Sequence, residues 1–296
     1  MNTIGLLGAG VMGASAGTKI LGAGYKLTVF DPTPAAQNWA KEMGASVAES
    51  LGDVATEAKI ILMFLPGPVQ IKQCVTGEKG ILNNPGECRY IVDLATSDPT
   101  TTREMAEACK AKGIGYLDAP ILGRPSAVGK WCLPIGGSAT DLDSCRSILE
   151  LFASSILYIG ESGAGHTIKL LNQMMFGAIN AMTAEMIAIA SGMGFDPSLV
   201  VETITSSQAG TVSNLFKELG NRIIKDDYSA PTFSVDLLIK DINLGLKMAQ
   251  SHGTPPLLGQ VVSYLNETAR SQGHGSMDTA IMWKAVKSMW EPSEKL

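Results

Sequence analysis

The chain has 296 residues, which exceeds one average domain and suits two. Its net charge of −5, from 23 basic and 28 acidic side chains with no Lys/Arg run, argues against nucleic-acid binding. Hydrophobic residues make up 45%, enough for a sizeable core, yet apolar runs such as Lys59-Ile60-Ile61-Leu62-Met63-Phe64-Leu65 are too short to span a bilayer.

In chain order, β-type runs fall at 3–7, 26–30, 60–65, 90–94, 115–117, 132–135 and 156–159. Helix-like stretches at 11–23, 34–43, 99–112 and 141–152 lie between several of them. Strands alternating with helices predict βαβ units on a mostly parallel sheet. The runs 60–65 and 91–94 are apolar on both faces, as central strands covered by helices should be. The pattern changes near Gly160. Between 164 and 193 apolar residues recur at helical spacing, as in Leu171, Met174, Met175, Ala178 and Met182, which predicts one long, largely buried helix. Gly192 and Gly194 end it, and Asp196-Pro197 reads as the N-cap and first turn of the next. Further helices are expected at 197–206, 212–221, 235–252, 256–271 and 279–289. The fold class is therefore α/β, a doubly wound N-terminal sheet followed by an all-α C-terminal domain joined by a long helix. The domains are expected at 1–163 and 164–296.

The five cysteines, Cys74, Cys88, Cys109, Cys132 and Cys145, are odd in number and show no C-x-x-C. A disulfide framework and a structural zinc site are both disfavoured, and a reducing cytoplasm fits best. His166, His252 and His274 share no ligand spacing, so no metal site is expected. Met1-Asn2-Thr3-Ile4-Gly5 offers no basic n-region, which argues against a signal peptide.

Gly8-Ala9-Gly10-Val11-Met12-Gly13 matches G-x-G-x-x-G. It follows a predicted strand and opens a predicted helix, and Asp31 ends the second strand 21 residues after Gly10. These are the marks of a dinucleotide site of the Rossmann type. Glycines at 8, 10 and 13 let the main chain approach the pyrophosphate, with Val11 and Met12 opening the helix whose N-terminus favours its charge. A carboxylate at Asp31 binds ribose hydroxyls and repels a 2′-phosphate. Pro32, Thr33 and Pro34 follow it with no arginine, so NAD is favoured over NADP.

Four segments, in order, give the chain a resemblance to the β-hydroxyacid dehydrogenase family, whose members include 3-hydroxyisobutyrate dehydrogenase and tartronate semialdehyde reductase. They are the glycine loop with its preceding Gly5-Leu6-Leu7, then Asp118-Ala119-Pro120, then Gly163-Ala164-Gly165-His166-Thr167-Ile168-Lys169-Leu170-Leu171-Asn172, then Lys240-Asp241. The third resembles the family's G-x-G-x-x-x-K-x-x-N and the fourth its K-D-L. The resemblance covers nearly the whole chain. It implies Lys169 as the general acid/base, Asn172 as a substrate ligand one turn later, and Lys240 on the nicotinamide side. It also implies cofactor contacts at Leu65, Pro66 and Thr96. The substrate is expected to be a small acidic hydroxyacid or its semialdehyde, and the protein a homodimer or homotetramer, without membrane or nucleic-acid partners.

The chemistry agrees. Oxidising an alcohol by hydride loss needs a base at the hydroxyl, and reduction needs an acid at the same oxygen. A lysine can serve both when burial and a neighbouring cation lower its proton affinity. The chain also departs from the family. Where members continue D-A-P-V-S-G-G, this sequence reads Asp118-Ala119-Pro120-Ile121-Leu122-Gly123-Arg124. The usual serine is Leu122 and the second glycine is Arg124. Substrate contacts are therefore expected at Gly123 and Arg124, the arginine acting as a two-pronged anion ligand. The stretch Gly-Arg-x-Ser-Ala resembles the sulfolactaldehyde reductase branch, where the arginine meets a sulfonate. The family's frequent second asparagine is Gln173 here. A scaffold or sensor that binds NAD without chemistry is the competing class. Retention of Lys169, Asn172 and Lys240 together argues against it, and Lys169 also argues against an imine reductase.

Overall fold

The computed structural model describes residues 3–206, 213–253 and 255–289, and the backbone alone at residue 189. The chain divides into two compact units, Met1–Lys169 and Leu170–Leu296.

The first unit is a wound sheet. Its elements in order are β1 (Thr3–Leu7), α1 (Val11–Gly22), β2 (Lys26–Phe30), α2 (Pro34–Glu42), β3 (Ser46–Val47), α3 (Leu51–Glu57), β4 (Ile60–Met63), α4 (Pro68–Val75) and β5 (Tyr90–Asp93). There follow α5 (Pro99–Lys110), β6 (Gly115–Asp118), β7 (Trp131–Gly136), α6 (Ala139–Leu149) and β8 (Ala153–Gly160). The strands lie in the order β3-β2-β1-β4-β5-β6-β7-β8. All neighbours are parallel except β6 and β7, which meet antiparallel at Asp118 and Gly136. Successive residues of a strand point to opposite faces, and here both faces are buried. Leu6, Leu62 and Val92 join a core under α1, α2 and α6, while Leu7, Met63 and Ile91 join one under α3, α4 and α5. Each such side chain contributes about 1.5–3 kcal/mol on burial. The three thiols Cys88, Cys109 and Cys145 are pushed up to about 12 by burial and stand as small core residues.

Three elements have no counterpart in the predicted set: β3, α3 and α4. The first has two residues, and the others are helices of 7 and 8 residues. Helix α3 nevertheless carries its start signal, since Ser50 accepts from Asp53 N and Asp53 accepts from Ser50 N.

Among the described residues the elements of the second unit are helices, with one antiparallel bridge between Ser234 and Asp278. Helix α7 (Ala164–Gly192) opens in the first unit and runs on into it, followed by α8 (Pro197–Ser206), α9 (Asn214–Lys225), α10 (Val235–Ser251), α11 (Leu257–Ala269) and α12 (Met282–Ser288). Asp196 caps α8 by accepting from Ser198 N. Residue 212, the expected start of α9, lies outside the described residues. The stretch expected as one helix over 256–271 ends at Ala269 and passes into a π-turn (Arg270–His274) with Gly273 at φ 87°.

By length and composition α7 would reach across a bilayer, which no run of the sequence led us to expect. Gln173, Asn180 and Thr183 are buried on it, and Asn180 Nδ2 donates to the Thr279 carbonyl. Its buried face is a correction to the sequence reading. Leu171, Met175 and Met182, expected inside, are 52%, 63% and 59% exposed, while Ala181, Ala184 and Ile187 are buried. A helix apolar on nearly every side gives periodicity no direction.

Candidate active site

The strand order reverses direction around β1, whose sheet neighbours are β2 and β4. In open parallel sheets, ligands bind outside the carboxyl ends of strands at such a point. The expected cofactor positions of this unit follow four strands there: the glycine loop after β1, Asp31 after β2, Leu65 and Pro66 after β4, and Thr96 after β5. Helix α1 starts on Gly10 with no side-chain cap, so the N–H groups of its first turn are left for a ligand. Val11 is exposed at that turn and Met12 half-buried. Gly8 has φ +85°, and a methyl at Gly13 would collide with the Gly8 carbonyl. A Cβ on Gly10 would meet nothing within 4 Å, so the loop is open on the ligand side. This cradle fits a dinucleotide pyrophosphate.

Asp31 is more occupied than its sequence position suggested. Its Oδ2 accepts from Ala9 N at 2.8 Å, and its Oδ1 accepts from Thr33 N at 2.8 Å and Thr33 Oγ1 at 2.7 Å. At 9% exposure it latches the glycine loop to the following turn. Its carboxyl group stands at the end of β2.

The opening of α7 is tied to the same sheet edge. Asp118, at the end of β6, is fully buried, and its two oxygens accept from Gly163 N and His166 N, both at 2.9 Å. It thus caps α7 from another strand. Gly165 is needed here, because a Cβ would lie 2.5 Å from the Pro134 carbonyl oxygen. His166 is buried, with Nε2 3.2 Å from the Ala95 carbonyl and Nδ1 2.6 Å from Thr102 Oγ1. A carbonyl only accepts, so Nε2 carries the hydrogen. Ala95 precedes Thr96, so α7 and the end of β5 are pinned together. Beneath them Asp93 accepts from Tyr116 Oη at 2.7 Å and from Ala95 N at 3.0 Å. Complete burial pushes the Asp93 carboxyl up, against the opposing pull of His166, Tyr116 and Ala95, and pushes the Tyr116 hydroxyl well up.

Lys169 ends the first unit on α7. Its Nζ donates to the Ile121 carbonyl at 2.8 Å. The segment that carries Gly123 and Arg124 starts from that residue. It is held at a second point, where buried Trp131 donates Nε1–H to the Arg124 carbonyl at 2.8 Å. Gly123 lies against the same indole. The Arg124 side chain is half-buried.

Asn172 and Lys240 belong to the helical unit, on α7 and α10. Gln173 Nε2 donates to Asp241 Oδ2 at 2.7 Å, and Lys240 Nζ lies 2.8 Å from Asp241 Oδ1. Asn172 Nδ2 donates to Gln173 Oε1 at 3.3 Å. Gln173 and Asp241 are buried, so two expected site residues are joined by two that were quoted only as motif letters. Asp93, Asp118 and His166 likewise received no role from the sequence. A signal was present for Asp93, an acid inside a run otherwise apolar on both faces.

A wound parallel sheet with a glycine cradle at its switch point defines a dinucleotide-binding α/β protein. The family model for the NAD binding domain of 6-phosphogluconate dehydrogenase matches residues 3–160. The model for the NAD-binding domain of NADP-dependent 3-hydroxyisobutyrate dehydrogenase matches residues 163–286. The chain is 31% identical to the 3-hydroxyisobutyrate dehydrogenase of Pseudomonas aeruginosa, over 90% of this chain and 91% of that one. It is 28% identical to the 3-sulfolactaldehyde reductase of Escherichia coli, over 97% and 95%. A crystal structure of 3-hydroxyisobutyrate dehydrogenase from Salmonella typhimurium shares the fold, with a TM-score of 0.87 at 23% identity over 96% of this chain and 99% of that one. The chain belongs to the β-hydroxyacid dehydrogenase family, whose members are NAD(P)-dependent oxidoreductases.

Proposed function

We propose that the protein interconverts a small acidic 3-hydroxyacid and its semialdehyde with NAD(H), and that Lys169 is the general acid/base. The observation that carries this reading is the Lys169 ammonium, held 2.8 Å from the Ile121 carbonyl at the root of the Arg124 segment. Bound in the cradle, a nicotinamide dinucleotide supplies the hydride acceptor or donor. The chain's own residues then handle the proton. A neutral Lys169 amine keeps one hydrogen on the Ile121 carbonyl and has a lone pair left for the substrate hydroxyl. It takes that proton as the carbinol hydrogen departs, and returns it to the oxygen in reduction. Asn172 holds the substrate, Lys240 serves the nicotinamide side, and Gly123 and Arg124 receive the acid group.

The Asp31 charge at the end of β2 supports NAD over NADP, because it would repel a 2′-phosphate. Arg124 supports a second reading of the substrate, in which its planar fork binds a sulfonate, as suits a relative named for sulfolactaldehyde. Exposed Leu257, Leu258, Val261 and Tyr264 on α11 support a homodimer or homotetramer. Free thiols suit a reducing cytoplasm.

The test is a panel of small hydroxyacids and semialdehydes, sulfonates included, followed by NADH absorbance. Turnover of an acidic member is expected, and none at all would remove the hydroxyacid reading. Lys169→Ala should keep fold and NADH binding and lose about 10²–10⁴-fold in kcat, the usual share of acid–base catalysis. Near-parental turnover in a folded variant would reopen the NAD-binding scaffold.

A further inference from the structure

Four side chains of the helical unit form a chain of polar contacts whose direction is fixed by chemistry. Asp241 is buried, with Oδ1 in ion-pair contact with Lys240 Nζ and Oδ2 accepting from Gln173 Nε2. A carboxylate has no hydrogen to give, so the nitrogen end of Gln173 has to face it. Gln173 Oε1 is thereby turned toward Asn172, and an amide oxygen only accepts. Asn172 must present nitrogen to it, as the 3.3 Å contact from Asn172 Nδ2 records. The sense of the exposed Asn172 carboxamide is thus dictated by a buried acid two links away, and its Oδ1 is left on the opposite side of the planar group.

We propose that Asp241 is a positioning residue: through Gln173 it turns Asn172 so that Oδ1 is offered to the hydroxyl of the substrate alcohol as a second acceptor beside the Lys169 amine, which takes the hydrogen, while the same carboxylate steers the Lys240 ammonium. This rests on the reading that Asn172 faces substrate. An amide released from the chain populates both senses, and the wrong one sets an N–H against the substrate hydroxyl. The alcohol therefore suffers more than the semialdehyde, whose oxygen has no hydrogen to donate.

Two variants break the chain at different links. Gln173→Met keeps the volume and loses both polar ends. Asp241→Asn keeps the shape and loses the acceptor-only character. With isotope-labelled asparagine side chains read by NMR, the Asn172 amide is identified by its loss in Asn172→Ala. Its resonance should shift in both variants of the cofactor-free protein; an unmoved amide overturns the proposal alone, whatever the turnover. Kinetics give the second arm. Gln173→Met should raise KM for the hydroxyacid about five- to tenfold, the worth of one net hydrogen bond, and KM for the semialdehyde less. In an Asn172→Ala background it should add nothing, and an undiminished loss there would make Gln173 a fold support and overturn the proposal. If Asn172→Ala itself has parental hydroxyacid kinetics, the substrate assignment beneath the proposal fails and takes the proposal with it.

Discussion

The sheet unit and the helical unit hold their functional groups by different means. In the sheet unit most of the fixing contacts have a main-chain atom at one end: Ala9 N on Asp31, Gly163 N and His166 N on Asp118, Lys169 on the Ile121 carbonyl, and Trp131 on the Arg124 carbonyl. In the helical unit the contacts run from side chain to side chain, Lys240 to Asp241 to Gln173 to Asn172. A main-chain carbonyl survives any substitution at its own position, and a main-chain N–H any but proline, so such a contact is lost chiefly from its side-chain end. A side-chain chain can be cut at every link and can also be retuned at every link.

The comparison is broken most sharply at the glycine loop, where main-chain geometry is the whole of the site. Gly13→Ala forces a methyl onto the Gly8 carbonyl. Overpacking of this kind costs about 1–3 kcal/mol, and we expect dinucleotide Kd to rise toward about a hundredfold. Calorimetry with NADH checks it, and a parental Kd would show that the loop yields. Arg124→Ala comes next, with KM for the best acidic substrate rising by about one to two decades on loss of a charge-assisted pair in a desolvated cleft. The Trp131 bond to the Arg124 carbonyl needs no arginine side chain and should persist in the variant. Arg124→Lys should recover only part of the binding, and the ratio of sulfonate to matching carboxylate turnover decides between the two substrate readings.

Smaller effects sharpen the same contrast. Asp31→Asn removes the charge, and with it one of the two accepting oxygens that hold the loop, and should narrow the NADH over NADPH preference in kcat/KM by about tenfold. Equal use of both cofactors by the parent would refute the role of that charge. The smallest effect expected is at Asp93, whose carboxyl burial pushes up. The folded state then holds this proton more tightly than the unfolded chain, so stability falls as pH climbs from about 4, the unfolded value, through the raised folded one. Asp93→Asn should abolish that fall. A thermal midpoint that gains more at pH 8 than at pH 5 is expected, and a uniform change across pH would deny it.

The same contrast explains what could be read in advance. Glycines forced by main-chain approach leave a fixed spacing, so the cradle, β1, α1 and Asp31 were legible residue by residue. So were the strands other than β3 and the onset of α7, where apolar runs and turn residues agree. Gln173 and Asp241 were not, because nothing in their spacing shows that α7 and α10 bring them together. Helices α3 and α4 were missed for their shortness. The inward face of α7 was misread because Leu171, Met175 and Met182 are as apolar as Ala181, Ala184 and Ile187. Asp31 was placed correctly at its strand end, but of its three internal donors two come from the turn at Thr33 and one from the main chain of the glycine loop, which no motif encodes.

The indole of Trp131 has a consequence for how such a protein changes over time. It grips the Arg124 segment by a carbonyl, an atom that every amino acid supplies. That one hold on the path of the loop does not depend on which side chain is displayed there. An exchange of the displayed group would leave the indole its partner, so the same grip could present different groups over a lineage.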